Sequence, residues 1–356
     1  MIKKVLISTG GSGGHVVPAT IIYKHLKYKF NVSMTSDFRG VNFLNKHEYN
    51  LEVFNVKPIS KNIFLIPYCL LLMFVSIIKS ISFLKKNKIE VLISTGGYMS
   101  LPLCLAAKIL NIRLFLFEPN MVLGRSNKFF INKCEKIFCY ASSIKNFPSK
   151  LRNKIIVIPA LLREMFYDVK INSDIMKDIN ILIIGGSQGA KIFDTLISSV
   201  IVKLSENYKL KIYQQTSSNN FENLRTIYKD KNIECELFDF NEDILSFMNK
   251  SNLCITRAGA STLAELSFLQ IPYLAIPLPT AKDNHQFENA FFYNKHGCNW
   301  ILNQSEINED ALVKKLIKII DNKNEYLNKK KNMKIFNYEN TWNNINQKIT
   351  SVINEN

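Results

Sequence analysis

Short β-rich runs alternate with glycine-containing or polar turns and longer helical stretches along most of this chain. A first set of strands is expected at Lys3–Ser8, Asn31–Thr35, Leu51–Val56, Glu90–Ser94, Ile112–Phe117, Lys136–Tyr140 and Ile155–Ile158. A second set is expected at Ile181–Ile184, Lys209–Tyr213, Ile233–Phe238, Leu253–Thr256 and Pro272–Ile276. Helices are expected from about His15 to Lys29, from the turn after Ile184 to about Glu206, and through the tail from Asn308 to Ile353. Strands that alternate with helices predict parallel sheets covered on both faces. Two such sets predict an α/β protein of two doubly wound domains, with a polar linker around Arg163–Asp178.

One segment is repeated literally. Leu6-Ile-Ser-Thr-Gly-Gly11 returns as Leu92-Ile-Ser-Thr-Gly-Gly97, and Ile183-Ile-Gly-Gly-Ser187 is a looser third copy. Each copy ends a strand on glycines, where the backbone can turn sharply and come close to a ligand. A single copy would be an ordinary βα turn. Three copies, two of them opening helices with free N–H groups, favour anion binding.

A different pattern occupies Asn62–Ile78, which carries no charge for 17 residues. That is near the short limit of the roughly 20 residues a membrane span requires. Expected strands precede and follow it, and a span would tear their common sheet apart. The stretch is therefore expected to be a crossover helix, buried on one side. Its other side would either pack in the core or dip into a bilayer surface beside Lys79, Lys85, Lys86 and Lys88.

Composition adds two constraints. At 47% hydrophobic and 21% charged, the 356 residues have an ordinary globular balance. The net charge of +17 is unevenly spread: residues 1–178 carry 26 basic and 10 acidic side chains, residues 179–356 carry 20 and 19. Such a field suits a nucleic acid, an anionic membrane or a polyphosphate ligand. Seven cysteines without a C-x-x-C pair, behind an N-terminus that lacks a signal-peptide pattern, point to a reduced cytosolic compartment.

Three segments carry candidate chemistry. Gly10-Gly-Ser-Gly-Gly-His15 is a phosphate cradle with a histidine at its edge. It fails the G-x-G-x-x-G spacing, because the third glycine would fall at Val16, and no P-loop motif occurs. A neutral His15 could act as a general base, or simply cap the helix. Thr256-Arg-Ala-Gly-Ala-Ser-Thr-Leu-Ala-Glu265 ends a strand and opens a helix. Ser261 and Thr262 could hold phosphate there, and Glu265 could accept two ribose hydroxyls. Alternatively, Thr262 and Glu265 have capping-box spacing. In Pro277–Ala290, Asn, His and Gln side chains suit sugar hydroxyls.

Together GGSGGH (10–15), STGGYMSLP (94–102), FEPN (117–120), IGGSQGA (184–190), RAGASTLAE (257–265) and PLPTAKDNHQFENA (277–290) resemble a known family. This is the bacterial UDP-N-acetylglucosamine:undecaprenyl-diphospho-muramoylpentapeptide β-N-acetylglucosaminyltransferases of glycosyltransferase family 28. The resemblance runs in order from residue 3 to about 320. It implies a GT-B fold of two Rossmann-like domains with a cleft between them. It also implies an acceptor and membrane-facing domain at 1–162, a UDP-GlcNAc-binding domain at 163–339, and a last helix at 340–356 that returns to the first domain.

Residue by residue, the resemblance assigns His15 to catalysis. Ser12, Gly13, Gly14, Gly96, Gly97 and Tyr98 fall to the acceptor's diphosphate. Ser187, Gln188, Ser261 and Thr262 fall to the donor diphosphate, and Glu265 to the ribose. Arg163 falls near the uracil, and His285, Gln286, Asn289 and Asn120 to the sugar. The chain departs from the family pattern at Pro119, where glutamine is usual, at Pro159-Ala160-Leu161, where Gly-Asn-Pro is usual, and at His285, where glutamine is frequent. Phe240–Asp243, at the uracil rim, also fits loosely.

The implied partners are UDP-N-acetylglucosamine, a lipid-linked muramoyl-pentapeptide and the anionic inner face of the cell membrane, met peripherally through residues 62–88. No cofactor, no metal and no nucleic acid are expected, since neither a D-x-D pair nor an RNA-binding signature is present. The competing readings are a soluble transferase with a small-molecule acceptor and a basic nucleic-acid-binding protein.

Overall fold

The computed structural model describes residues 2–44, 48–54, 56, 62–171, 178–185, 192–239 and 243–355. The chain divides into two compact units, one formed by Met1–Arg163 with Thr341–Asn356 and the other by Glu164–Asn340.

The first unit holds strands β1 (Lys4–Ser8), β2 (Asn31–Ser36), β3 (Leu51–Val53), β4 (Val91–Ser94), β5 (Arg113–Glu118), β6 (Lys136–Cys139) and β7 (Ile155–Val157). They form one sheet in the order β3-β2-β1-β4-β5-β6-β7, every pair parallel. Its helices are α1 (Gly13–Leu26), α2 (Phe38–Val41), α3 (Ile66–Lys86), α4 (Leu101–Ile109) and α5 (Arg125–Phe130). The central strands are apolar on both faces, as a sheet covered by helices on both sides demands: Val5, Leu6, Ile7, Val91, Leu92 and Ile93 are all fully buried.

The second unit holds β8 (Ile179–Ile184), β9 (Leu210–Gln215), β10 (Glu234–Phe238), β11 (Leu253–Thr256), β12 (Tyr273–Ala275) and β13 (Asn299–Ile301). Their order is β10-β9-β8-β11-β12-β13, again all parallel. After a π-helical turn at Phe193–Ile197 come α6 (Ser198–Ser205), α7 (Phe221–Lys229), α8 (Ile244–Lys250), α9 (Ala260–Phe268), α10 (His285–Lys295), α11 (Glu309–Asp321) and α12 (Lys323–Phe336). Strand β13 was not expected from the sequence: its three residues, Asn-Trp-Ile, follow a helix with no alternation to mark them.

The final helix, α13 (Trp342–Asn354), belongs to the first unit. Thr341 caps its start by accepting from the Asn344 amide. Its buried stripe is Ile345, Ile349, Val352 and Ile353. At its far end Lys3 and Arg113 donate to the Ile353 carbonyl, cations placed where the helix dipole is negative. At its near end Trp342 stacks on His25 of α1, ring centroids 3.7 Å apart. His25 is buried with neither ring nitrogen hydrogen-bonded, and burial pushes its pKa down to about 3, so the ring is neutral at physiological pH.

Three expectations need correction. Helix α1 opens at Gly13, inside the glycine loop, and not at His15; it ends at Leu26, because the chain turns there into β2. The strand expected at Leu51–Val56 stops at Val53, where pairing with β2 ends at Ser36. Helix α3 is not buried along one side. Its buried residues are Ser80 and Leu84, and the stripe Cys69, Leu72, Met73, Ser76 and Ile77 is only half-buried. Along the opposite face Tyr68, Leu70, Leu71, Phe74, Val75 and Ile78 are exposed, with Phe74 at 60%. The helix is long and apolar enough to cross a membrane. Its flanking strands β3 and β4 lie in one parallel sheet, however, so α3 carries the chain back alongside that sheet, from the C-terminal end of β3 to the N-terminal end of β4. All seven cysteines are free, and burial pushes the Cys104 thiol up to about 12.

Candidate active site

The repeated segments of the first unit are neighbours in space. Strands β1 and β4 pair in register, Leu6 beside Leu92 and Ser8 beside Ser94, so their Gly-Gly turns emerge side by side. This is also where the sheet order reverses direction, with β2 on one side of β1 and β4 on the other. Crevices at such switch points are where doubly wound folds bind ligands.

His15 stands between the two turns. Its Nδ1 lies 2.8 Å from the Thr95 carbonyl, which can only accept, so Nδ1 carries the hydrogen and the neutral ring keeps its lone pair on Nε2. Gly96 and Gly97 make room for the ring. A side-chain carbon on Gly96 would sit 3.3 Å from His15 Cε1, at a φ of +91° that L side chains rarely adopt.

The glycine loop is anchored from below. Asp37, buried at the end of β2, accepts from the Gly11 and Gly40 amides at 2.8 Å each. Its other oxygen takes two 3.3 Å bonds from Arg39. Arg39 in turn donates to the Tyr98 hydroxyl at 2.8 Å, and Tyr98 donates to the Val56 carbonyl. Ser12, Gly13, Gly14, His15, Gly96, Gly97 and Tyr98 are therefore gathered at one end of one sheet. Burial raises the Tyr98 pKa, and the nearby Arg39 partly offsets the rise.

Asn120 lies past the end of β5 and is held by Glu118, whose Oε1 accepts from both its amide and its side chain. The other oxygen of Glu118 accepts from the Gly124 amide at 2.7 Å and from Asn127 at 3.0 Å. A buried carboxylate with its acceptor sites filled costs little, whereas a bare one would cost several kcal/mol. Glu118 thus fixes the loop that presents Asn120. Arg163 is the last residue of the first unit's N-terminal segment and is half-buried.

The second unit repeats the logic. Strand β8 pairs with β11, Ile184 beside Thr256, at that sheet's switch point. Ser187 and Gln188 lie outside the described residues. Beyond β11, α9 opens at Ala260 with Gly259 as its N-cap in an extended conformation. Thr262 is therefore inside the first turn and cannot be a cap, so the capping-box alternative for Thr262 and Glu265 fails. Ser261 and Thr262 sit half-exposed among the orphan N–H groups of the helix start. Glu265, one turn on from Ser261, is 7% exposed.

Two candidates from α10 brace this opening. Gln286 Oε1 accepts from the Ala258 and Leu278 amides, and Asn289, buried, donates to the Ala258 carbonyl. Asn289 is thus a positioning residue for the turn before α9. His285 donates from Nδ1 to the Lys282 carbonyl at 2.8 Å, which leaves Nε2 for a ligand. Arg257, to which no role was assigned from the sequence, is 8% exposed, donates to the Ile276 carbonyl and lies over the Phe193 ring at 5.0 Å. The signal was an arginine at the end of an otherwise apolar strand. Arg39 carries no motif signal, and Glu118 no assigned role within FEPN; Asp37, at the position where a dinucleotide fold would place a ribose-binding acid, instead holds the Gly11 and Gly40 amides.

Two doubly wound parallel sheets give the chain the α/β architecture of the GT-B fold. The chain belongs to glycosyltransferase family 28: the family's N-terminal domain matches residues 5–139 and its C-terminal domain residues 180–345. A protein of Pelagibacter ubique (strain HTCC1062) is 71% identical over all 356 residues, the whole of both chains. It is named UDP-N-acetylglucosamine–N-acetylmuramyl-(pentapeptide) pyrophosphoryl-undecaprenol N-acetylglucosamine transferase. A Rickettsia bellii (strain RML369-C) protein of the same name is 34% identical, covering 93% of this chain and 95% of its own. Among solved structures, MurG of Acinetobacter baumannii superposes with a TM-score of 0.77 over 99% of both chains at 24% identity, a likeness of fold.

Proposed function

We propose that this chain transfers N-acetylglucosamine from UDP-N-acetylglucosamine to the 4-hydroxyl of undecaprenyl-diphospho-N-acetylmuramoyl-pentapeptide, with inversion at the anomeric carbon. The observation that carries the reading is the full-length 71% identity to the Pelagibacter ubique transferase. The donor's diphosphate falls to Ser261 and Thr262, with Ser187 and Gln188, its ribose to Glu265 and its uracil to Arg163. His285, Gln286 and Asn120 serve the sugar, with Asn289 in support. The first unit takes the acceptor's diphosphate on Ser12–Gly14 and Gly96–Tyr98.

In the reaction the acceptor hydroxyl attacks the anomeric carbon while the bond to UDP breaks. His15 Nε2 takes the hydroxyl proton, its ring held in the correct tautomer by Thr95. UDP leaves with the bond's electron pair, and the N–H groups opening α9 stabilise the charge it gains. The test is transfer of radiolabel from UDP-N-acetylglucosamine to lipid-linked and to soluble muramoyl-pentapeptide acceptors side by side. Label is expected in the lipid-linked product. Label passing only to a soluble acceptor would favour the small-molecule reading.

The exposed face of α3 supports peripheral contact with the cytoplasmic side of the cell membrane. Phe64, Leu71 and Phe74 protrude, and Lys79, Lys85, Lys86 and Lys88 are exposed beside them. Apolar side chains dip into the acyl boundary while lysines meet anionic headgroups. Replacing Leu71 and Phe74 by serine is expected to lower binding to anionic liposomes at least tenfold, because burying each such side chain contributes about 1.5–3 kcal/mol. Both are exposed, so the variant should melt like the parent and bind donor equally. Undiminished sedimentation with liposomes would exclude α3 as the contact.

A further inference from the structure

We propose that Arg39 is a binding residue for the acceptor's diphosphate, and that the Asp37–Arg39–Tyr98 chain of hydrogen bonds exists to present it. The inference rests on the acceptor assignment above and extends it to a residue no motif singled out.

The geometry is specific. The Arg39 guanidinium points along the glycine loop, with Nη2 3.7 Å from where a side-chain carbon on Gly11 would sit. Nε and Nη2 face Asp37 and Tyr98. The Tyr98 ring centroid lies 5.2 Å from the guanidinium carbon. Nη1 makes no hydrogen bond with any described residue, and the side chain is 58% exposed. Nε and Nη2 are thus engaged, and Nη1 is left as the donor for a ligand.

Asp37 does not cancel that charge toward solvent. It is 4% exposed and also accepts from the Gly11 and Gly40 amides, so its negative charge is spread inward over backbone donors. A guanidinium held this way keeps its orientation without a ligand. It can therefore add a charge-assisted bond to a phosphate oxygen at small entropic cost. The glycines complete the arrangement. Gly11, with a φ of +85°, leaves the space beside the guanidinium empty; Nη2 already gives its hydrogens to Asp37 and Tyr98, so a diphosphate that meets backbone N–H groups there would take its charge-assisted bond from Nη1. Gly40 is also required, because a carbon on it would collide with Ser36 Oγ and lie 2.9 Å from Gly10 Cα.

The test is steady-state kinetics of Arg39→Gln and Arg39→Lys with lipid-linked muramoyl-pentapeptide and UDP-N-acetylglucosamine varied separately. Arg39→Gln should raise the acceptor KM about tenfold or more. Donor KM and melting temperature should stay at the parent values. Arg39→Lys, which restores charge but not the fork, should recover part of the loss. A short-chain prenyl diphosphate, used as a competitive inhibitor against the acceptor, should lose potency on Arg39→Gln by a similar factor. An acceptor KM within twofold of the parent, or equal rises in both KM values, would overturn the proposal. If Arg39→Gln lowers the melting temperature, Arg39→Met provides the second neutral variant for the same comparison. Failure of the parent enzyme itself to use the lipid-linked acceptor would instead strike at the proposed function.

Discussion

Replacing His15 by alanine is expected to lower kcat about 10²–10⁴-fold, the usual contribution of a positioned general base. The expectation follows from the tautomer. Because the Thr95 carbonyl holds Nδ1–H, the neutral ring has one free lone pair, on Nε2, at the edge of the glycine loops. Alanine removes that lone pair and replaces it with nothing of comparable basicity. The ring also fills the space above Gly96 and Gly97, so the melting temperature must be measured alongside kcat at saturating concentrations of both substrates. A fall of less than tenfold in a variant as stable as the parent would reassign His15 to binding.

Substituting alanine at Glu265 is expected to weaken UDP-N-acetylglucosamine binding by about 1–3 kcal/mol, roughly 5–150-fold in Kd, through loss of hydrogen bonds to a carboxylate. Calorimetric titration of the donor reads this directly. Glu265 is buried one turn into α9, so truncation also risks the helix. Glu265→Gln keeps the volume and one acceptor oxygen and should lie between parent and alanine. Parent-like donor affinity in both variants would remove Glu265 from the donor site.

The strands were legible because a parallel sheet covered on both faces needs continuous apolar runs, and Leu6–Ser8, Leu92–Ser94 and Ile181–Ile184 are such runs ended by glycine or threonine. The candidate site segments stood out where glycine or a helix start made a pattern, as at Gly10–His15 and Ala260–Glu265. Residues that act through other residues left no pattern. Asp37 caps the short helix α2 and Arg39 lies in it, and only the fold brings them under Gly11 and against Tyr98, 59 positions from Arg39. That Asn289 also donates to the Ala258 carbonyl, 31 positions away, is likewise a fact of the fold alone. Helix α3 looked half-buried by hydrophobicity alone, since composition records how apolar a face is and not whether anything covers it.

The amino-acid order by itself determined the α/β alternation, the two sheets and where glycine turns close the strands. Period-two and apolar-run patterns, and the backbone freedom of glycine, are local properties. Tertiary structure alone decided that the two copies of Leu-Ile-Ser-Thr-Gly-Gly lie side by side across β1 and β4, which nitrogen of His15 carries the proton, and that an aspartate, an arginine and a tyrosine share one network beneath the loop. Those facts depend on pairing and hydrogen bonds between residues 26 to 86 positions apart, a distance over which no sequence periodicity extends.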